Sequence, residues 1–154
     1  MARKKKFKSK LPFKVPQKDA QKVGERLLHL TVKYGGELKP DLVVEDAKSP
    51  RSILHKYFEW DNESAAEKYR LDQARQLIRC VVEVVIIQGK QVEHRSFLNI
   101  KNYEGKHVYV TLDTVVQEPD YMNQLISEAI GYIGYLNNTL EMLQQYLRKK
   151  RKIN

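Results

Sequence analysis

A single cysteine, Cys80, in 154 residues leaves no intramolecular disulfide and no cysteine zinc cluster, which fits a reducing compartment. No apolar run reaches the ~18 residues that span a bilayer. The basic start Arg3-Lys4-Lys5-Lys6 runs into more lysines instead of an apolar stretch, so a signal peptide is not expected. Internal repeats are lacking too. Catalytic signals are sparse. His29, His55, His94 and His107 are dispersed, with no HExxH pair and no close Cys/His spacing for a metal. His94 and His107 are expected to face each other at most as structural residues on adjacent strands. Glu59 and Asp61, either side of Trp60, read as capping groups or partners of Arg70 or Arg75 rather than an acid/base pair. Gly35-Gly36 lacks the lysine pattern of a phosphate loop. No catalytic residue, metal or cofactor is expected, and the chain reads as a non-enzyme.

What the sequence has in excess is positive charge, +9 overall, from 28 Lys and Arg against 19 Asp and Glu. Its placement is uneven. Residues 1–22 hold nine basic side chains against Asp19 alone, and residues 148–152 are all basic. Residues 23–147 hold 14 basic and 18 acidic side chains, a mildly acidic body of −4 between ends that total +13. This pattern predicts basic arms at residues 1–16 and 148–154 around a domain at 17–147. Lysine and arginine that neutralise phosphates release condensed counterions, so such arms suit nucleic acid, DNA in the first place, without reading its sequence. The candidate contacts are Arg3, Lys4, Lys5, Lys6, Lys8, Lys10 and Lys14 at one end, and Arg148, Lys149, Lys150, Arg151 and Lys152 at the other. An acidic protein surface, or plain solubility, are the competing uses. Membrane anchoring is disfavoured because Pro12 and Pro16 interrupt an arm that has too few apolar residues for a face.

Hydrophobic periodicity predicts an α+β fold. A helix over 17–33 ends at Gly35-Gly36. Pro40 starts a short second helix, and 52–58 forms a third. A fourth, capped by Asp61 or Asn62, runs to about Cys80 with Ala66, Tyr69, Ala74, Leu77 and Ile78 inward. The period then changes. Residues 81–87, 92–100 and 108–116 read as a three-stranded antiparallel meander, followed by a long helix over 119–147. In that helix Met122, Ile126, Ala129, Ile133, Leu136, Leu140, Leu143 and Leu147 recur at alternating spacings of four and three, a heptad seam. Its first half is broad enough to cover a sheet. Its second half, Ile133, Leu136, Leu140, Leu143 and Leu147, is narrow and suits a partner helix, so a homo-oligomer is expected. The second and third helices, joined at Ser49-Pro50, have a helix-turn-helix outline. In that reading Arg51, Ser52, His55 and Lys56 face DNA, although Asp41, Glu45 and Asp46 would repel phosphate.

The run Leu54-His55-Lys56-Tyr57-Phe58-Glu59-Trp60-Asp61, with Ala65-Ala66, Tyr69-Arg70, Gln73-Ala74-Arg75 and Leu77-Ile78-Arg79, resembles a family of small tailed-phage proteins. Gly36, Leu38 and Pro40 extend the likeness, which covers under a third of the chain. Where the family tends to have proline before the Leu-His pair, this chain has Ile53. The resemblance implies a viral setting, host cytoplasm or virion, and brings no activity or catalytic residue. The expected function is therefore a phage-encoded, non-enzymatic nucleic-acid-binding protein for DNA organisation, packaging or transcription control. A virion or assembly component that touches neighbouring virion proteins is the alternative, and an inhibitor of a host protein is the third reading.

Overall fold

The computed structural model describes residues 4–10, 15–61 and 66–153, the side chains of Ala66, Lys152 and Ile153 apart. It forms two compact units, Met1–Val115 and Val116–Asn154. Arg3, Lys14 and the expected cap Asn62 lie outside the described residues.

The first unit is α+β. Helix α1, Gln17–Lys33, buries Ala20, Val23, Leu27 and Leu30, a run at helical spacing. It stops where Gly35 and Gly36 take φ of 73° and 92°, and the Gly36 amide donates back to the Thr31 carbonyl. Helix α2, Pro40–Ala47, has its proline in the first turn, where no amide is needed. The expected third helix is absent. Among the described residues between α2 and the next helix, only His55–Tyr57 closes, as one 3-10 turn. Helix α3, Ala66–Cys80, buries Ala74, Leu77 and Ile78 as expected, but Tyr69 is 55% exposed. The helical cluster thus holds three α-helices and a turn rather than four helices.

The meander is also corrected. Strand β1, Phe7–Ser9, comes from the basic N-terminal segment and forms one edge of an antiparallel sheet of order β1-β2-β3, with β2 at Val81–Ile87 and β3 at Lys90–Arg95. Gln88 and Gly89, both at positive φ, make the two-residue turn between β2 and β3. The expected strand 92–100 divides at Ser96, a bend that ends β3 after Arg95 and lets Phe97 begin a strand of another sheet. Beyond it, β4 (Phe97–Lys101) and β5 (His107–Thr111) form a separate two-stranded sheet. Leu38 joins it by paired backbone hydrogen bonds with Tyr109, at 2.7 and 2.8 Å. Leu27, Leu30, Leu38, Leu54, Leu77, Ile78, Val81 and Phe97 are among the buried residues of one core that draws on helices and sheets. His94 faces Glu83 on β2 and His107 faces Lys101 on β4, so the two histidines sit in different sheets and do not meet. Helix α4, Leu112–Gln117, follows β5.

The second unit is essentially helix α5, Pro119–Ile153. It runs through the basic residues that the sequence reading placed in a tail. Lysine and arginine are good helix formers, and cations in the last turn complement the helix dipole. From Ile126 to Arg151 every described side chain except the partly covered Thr139 is exposed. Ile126, Ile130 and Tyr132 in the broad first half are thus as open to solvent as the narrow second half.

Candidate nucleic-acid interface

The N-terminal basic segment is built into the fold. On one side β1 pairs with β2, Phe7 opposite Glu83 and Ser9 opposite Val81. On its other side two glutamines one turn apart on α1 take the place of a neighbouring strand. Gln21 accepts from the Phe7 amide and donates to the Lys5 carbonyl, both at 2.9 Å. Gln17 accepts from the Ser9 amide at 3.3 Å and donates to the Ser9 carbonyl. Both edges of β1 therefore find partners, as buried backbone requires. Phe7 is 5% exposed and lies against Gly24, where an added Cβ would come within 2.7 Å of the Phe7 Cβ. Gly24 is the notch that admits the ring.

The lysines of this segment divide by face. Lys5, on the side of Phe7, bonds Asp113 at 2.8 Å and Glu83 at 3.1 Å. Burial works against its ammonium, but hydrogen bonds to Asp113 and Glu83 outweigh it and raise the pKa. Lys8 pairs with Glu93 at 2.8 Å, and Lys4 lies 3.6 Å from Glu25. Lys6 and Lys10 are exposed and make no ion pair among the described residues. A cleft of about 650 Å³ opens beside Lys4, Lys5 and Lys6, with Glu83 and Asp113 on its wall. Its cations are largely matched by carboxylates.

The helix-turn-helix reading finds no reading helix. The 3-10 turn is three residues long, and its polar groups bind the protein itself. Lys56 Nζ donates to Asp19 Oδ2 at 2.6 Å, and the Tyr57 hydroxyl donates to the same oxygen at 2.8 Å. These bonds hold the Asp19 carboxyl below its ordinary pKa, the Lys56 bond most of all. Burial, then the carboxylate of Asp19, pushes the Tyr57 phenol up. Ser52 donates to Asp46 at 2.7 Å, and Asp46 also receives Arg26. Burial would raise the Asp46 pKa, but its bonds from Arg26 and Ser52 prevail and lower it. His55 Nδ1 lies 2.7 Å from the Ala47 carbonyl. Of the candidate readers, only Arg51 stays exposed with a side chain that has no ion pair among the described residues.

The Phe-Glu-Trp-Asp motif performs a structural task here. The Trp60 ring stacks on His55, with centroids 5.0 Å apart and planes 9° from parallel, and the Arg70 guanidinium sits 5.0 Å from the indole. Arg70 donates to the carbonyls of Glu59 and Trp60 at 2.9 and 3.3 Å, while the indole N–H donates to the His55 carbonyl at 3.0 Å. This ties the turn to α3. Arg75 pairs with Asp72 on its own helix at 2.6 Å. Cys80 is buried, which pushes its thiol up to about 11 and leaves it protonated at neutral pH.

Two exposed basic surfaces remain. Arg148, Lys149, Lys150 and Arg151 occupy the end of α5, with no ion pair among the described residues. On α1, Lys18, Lys22, His29 and Lys33 are exposed and fall within one narrow face of the helix. The sequence reading passed over this stripe. Its signal was the spacing of four, seven and four inside a helix already recognised. Among the described residues no group of three His, Cys, Asp or Glu is placed to hold a metal ion. No described helix is long and apolar enough to cross a membrane. Comparison with known proteins finds no matching family model, curated protein or solved structure.

Proposed function

We propose that this is a phage-encoded, non-enzymatic nucleic-acid-binding protein of the host cytoplasm or virion, one that grips phosphate with its basic ends. The observation that carries this reading is the exposed cluster Arg148 to Arg151, which no described carboxylate neutralises. Lys6, Lys10 and the α1 stripe add cations, whereas Lys5 and Lys8 are held by carboxylates. Arg51 joins the exposed set, and Lys56 serves the fold. The grip is on backbone rather than bases, because the turn at His55–Tyr57 is too short for a reading helix and its polar groups bind the protein itself. Self-association through Ile133, Leu136, Leu140, Leu143 and Leu147 belongs to the same proposal, and their exposure supports it.

Anisotropy titrations with a labelled 30-base-pair duplex at several salt concentrations test it. Each phosphate contact adds about 0.9 to the slope of log K against log salt. Removing residues 148–154 is expected to lower that slope by about 4.5 if all five cations engage phosphate. Absence of binding at 50 mM salt sinks the reading. Two features favour the assembly alternative: a basic segment already docked as β1, and a long apolar stripe on α5. Mass analysis of purified virions decides that point, since absence from the particle removes it.

A further inference from the structure

Helix α5 leaves a long apolar stripe open to water. Ile126, Ile133, Leu136, Leu140, Leu143 and Leu147 are each 42 to 57% exposed. Contiguous apolar surface of this kind marks an interaction site. The helix also carries Gly131 and Gly134, each a cost of about 1 kcal/mol relative to alanine. Helices in proteins draw most of their stability from packing an amphipathic face, and α5 needs a partner for that.

We infer that the occupant of this face is α5 of a second copy, running antiparallel. The inference rests on the self-association proposed above and adds its direction and register. Three features of the helix choose the direction. First, an antiparallel pair centred between positions 134 and 135 sets Ile126 opposite Leu143, Ala129 opposite Leu140 and Ile133 opposite Leu136. The small Ala129 then meets a large side chain. A parallel pair would set Ala129 against itself and leave a hole in the seam. Second, Lys150 continues the seam, one heptad after Leu143. A parallel pair would place Lys150 against Lys150, whereas the antiparallel register sets it level with Pro119.

Third, the ends of the helix differ in charge. Residues 148–152 carry five cations, and a parallel pair gathers ten of them at one end, where the nearer ones repel. The antiparallel pair separates them; Lys149 falls level with Asp120 only at positions on the outside of the pair. The helix dipoles are opposed in this arrangement as well, which favours it. Glu128 falls level with Glu141 at positions on the outside of the pair, and in a parallel pair each would meet its own copy, so these two do not discriminate.

The two Lys150 residues of the pair lie 31 residues apart along the axis, about 45 Å at 1.5 Å per residue. If the nucleic-acid proposal holds, the dimer presents its basic ends in opposite directions and bridges two segments of duplex. The pairing itself does not depend on that proposal.

The test uses the full chain with Cys80→Ser, into which Ile126→Cys and Leu143→Cys are introduced separately. In the antiparallel register position 126 faces 143 of the other copy. Two residues 126 are then 17 residues apart along the axis, about 25 Å. With a bismaleimide of ~8 Å span, a mixture of the two variants is expected to give at least tenfold more covalent dimer than either variant alone. Efficient linking of each variant to itself, with none gained on mixing, shows a parallel pair and overturns the inference while leaving self-association intact. Sedimentation of the unmodified chain as a monomer at 50 μM overturns both. Circular dichroism of each variant confirms that α5 is retained, and the duplex titrations report separately on nucleic-acid binding.

Discussion

The two ends of this chain are alike in composition and opposite in structural use. Lys4, Lys5 and Lys8 each meet a carboxylate, and β1 lies between β2 and the glutamines of α1. Arg148 to Arg151 meet none among the described residues. The difference follows from what lies within reach. An antiparallel strand places the N-terminal lysines beside the acidic residues of the body, Glu83 and Glu93 on the sheet and Glu25 on α1. A helix offers partners three or four residues away, and the positions before Arg148 are Gln144, Gln145, Tyr146 and Leu147. The preceding carboxylate, Glu141, is seven residues back. A count of basic residues therefore overstates the charge the N-terminal end offers a partner and gives the charge of the C-terminal end faithfully.

The sharpest way to break this comparison is to remove the anchor of one end and all of the other. Phe7→Ala deletes a buried ring and is expected to lower the unfolding free energy by about 3 kcal/mol. Deleting residues 148–154 is expected to change the stability of the first unit by less than about 0.5 kcal/mol. Urea unfolding followed by Trp60 fluorescence measures both. Equal effects of the two changes would mean that β1 is no more part of the fold than the C-terminal basic cluster. A subtler change at the same contact is Gly24→Ala, which leaves Phe7 intact and fills its notch. The expected cost is about 1 to 3 kcal/mol, with faster trypsin cleavage at Lys8 and Lys10 as β1 loosens. Cleavage at the wild-type rate would count against the notch.

How much of this was legible in the sequence depends on the range of the interactions involved. The α1 stop at Gly35-Gly36, the start of α2 at Pro40 and the long α5 are local, and the residues that make them are adjacent. The place of β1 was hidden. Phe7-Lys8-Ser9 has no strand pattern strong enough to compete with its lysines, and it pairs with β2 more than seventy residues away. Gln17 and Gln21 read as ordinary solvent-facing positions until the strand they serve is known. The short helix expected over 52–58 failed for the opposite reason. Its apolar spacing is helical, but Ser52, His55, Lys56 and Tyr57 are drawn to Asp46, Ala47 and Asp19, and the chain closes only one turn. The basic cluster at the end of α5 was legible as a run of charge, whereas the stripe on α1 required exposure to be known.

The smallest expected effect concerns pH and again separates the two ends. Lys5 has its pKa raised above 10.5, because Asp113 and Glu83 outweigh the cost of burying it. A cation that binds its proton more tightly in the folded state stabilises that state fully at pH below its unfolded value. The contribution is lost as pH rises through the raised folded value. Lys5 is one-fifth exposed, so about 1 kcal/mol or less is at stake. Lys5→Met removes the charge and keeps most of the stem that packs against β2. The thermal midpoint of wild type is expected to exceed that of the variant at pH 7 to 9, and the gap to close above pH 10.5. Lys149→Met, at the end of α5, is expected to leave the thermal midpoint of the first unit unchanged. A lower midpoint for Lys149→Met would mean that the C-terminal cluster supports the first unit as β1 does. A gap for Lys5 that did not narrow as pH rose beyond 10.5 would mean that its stem, and not its charge, holds β1 in place.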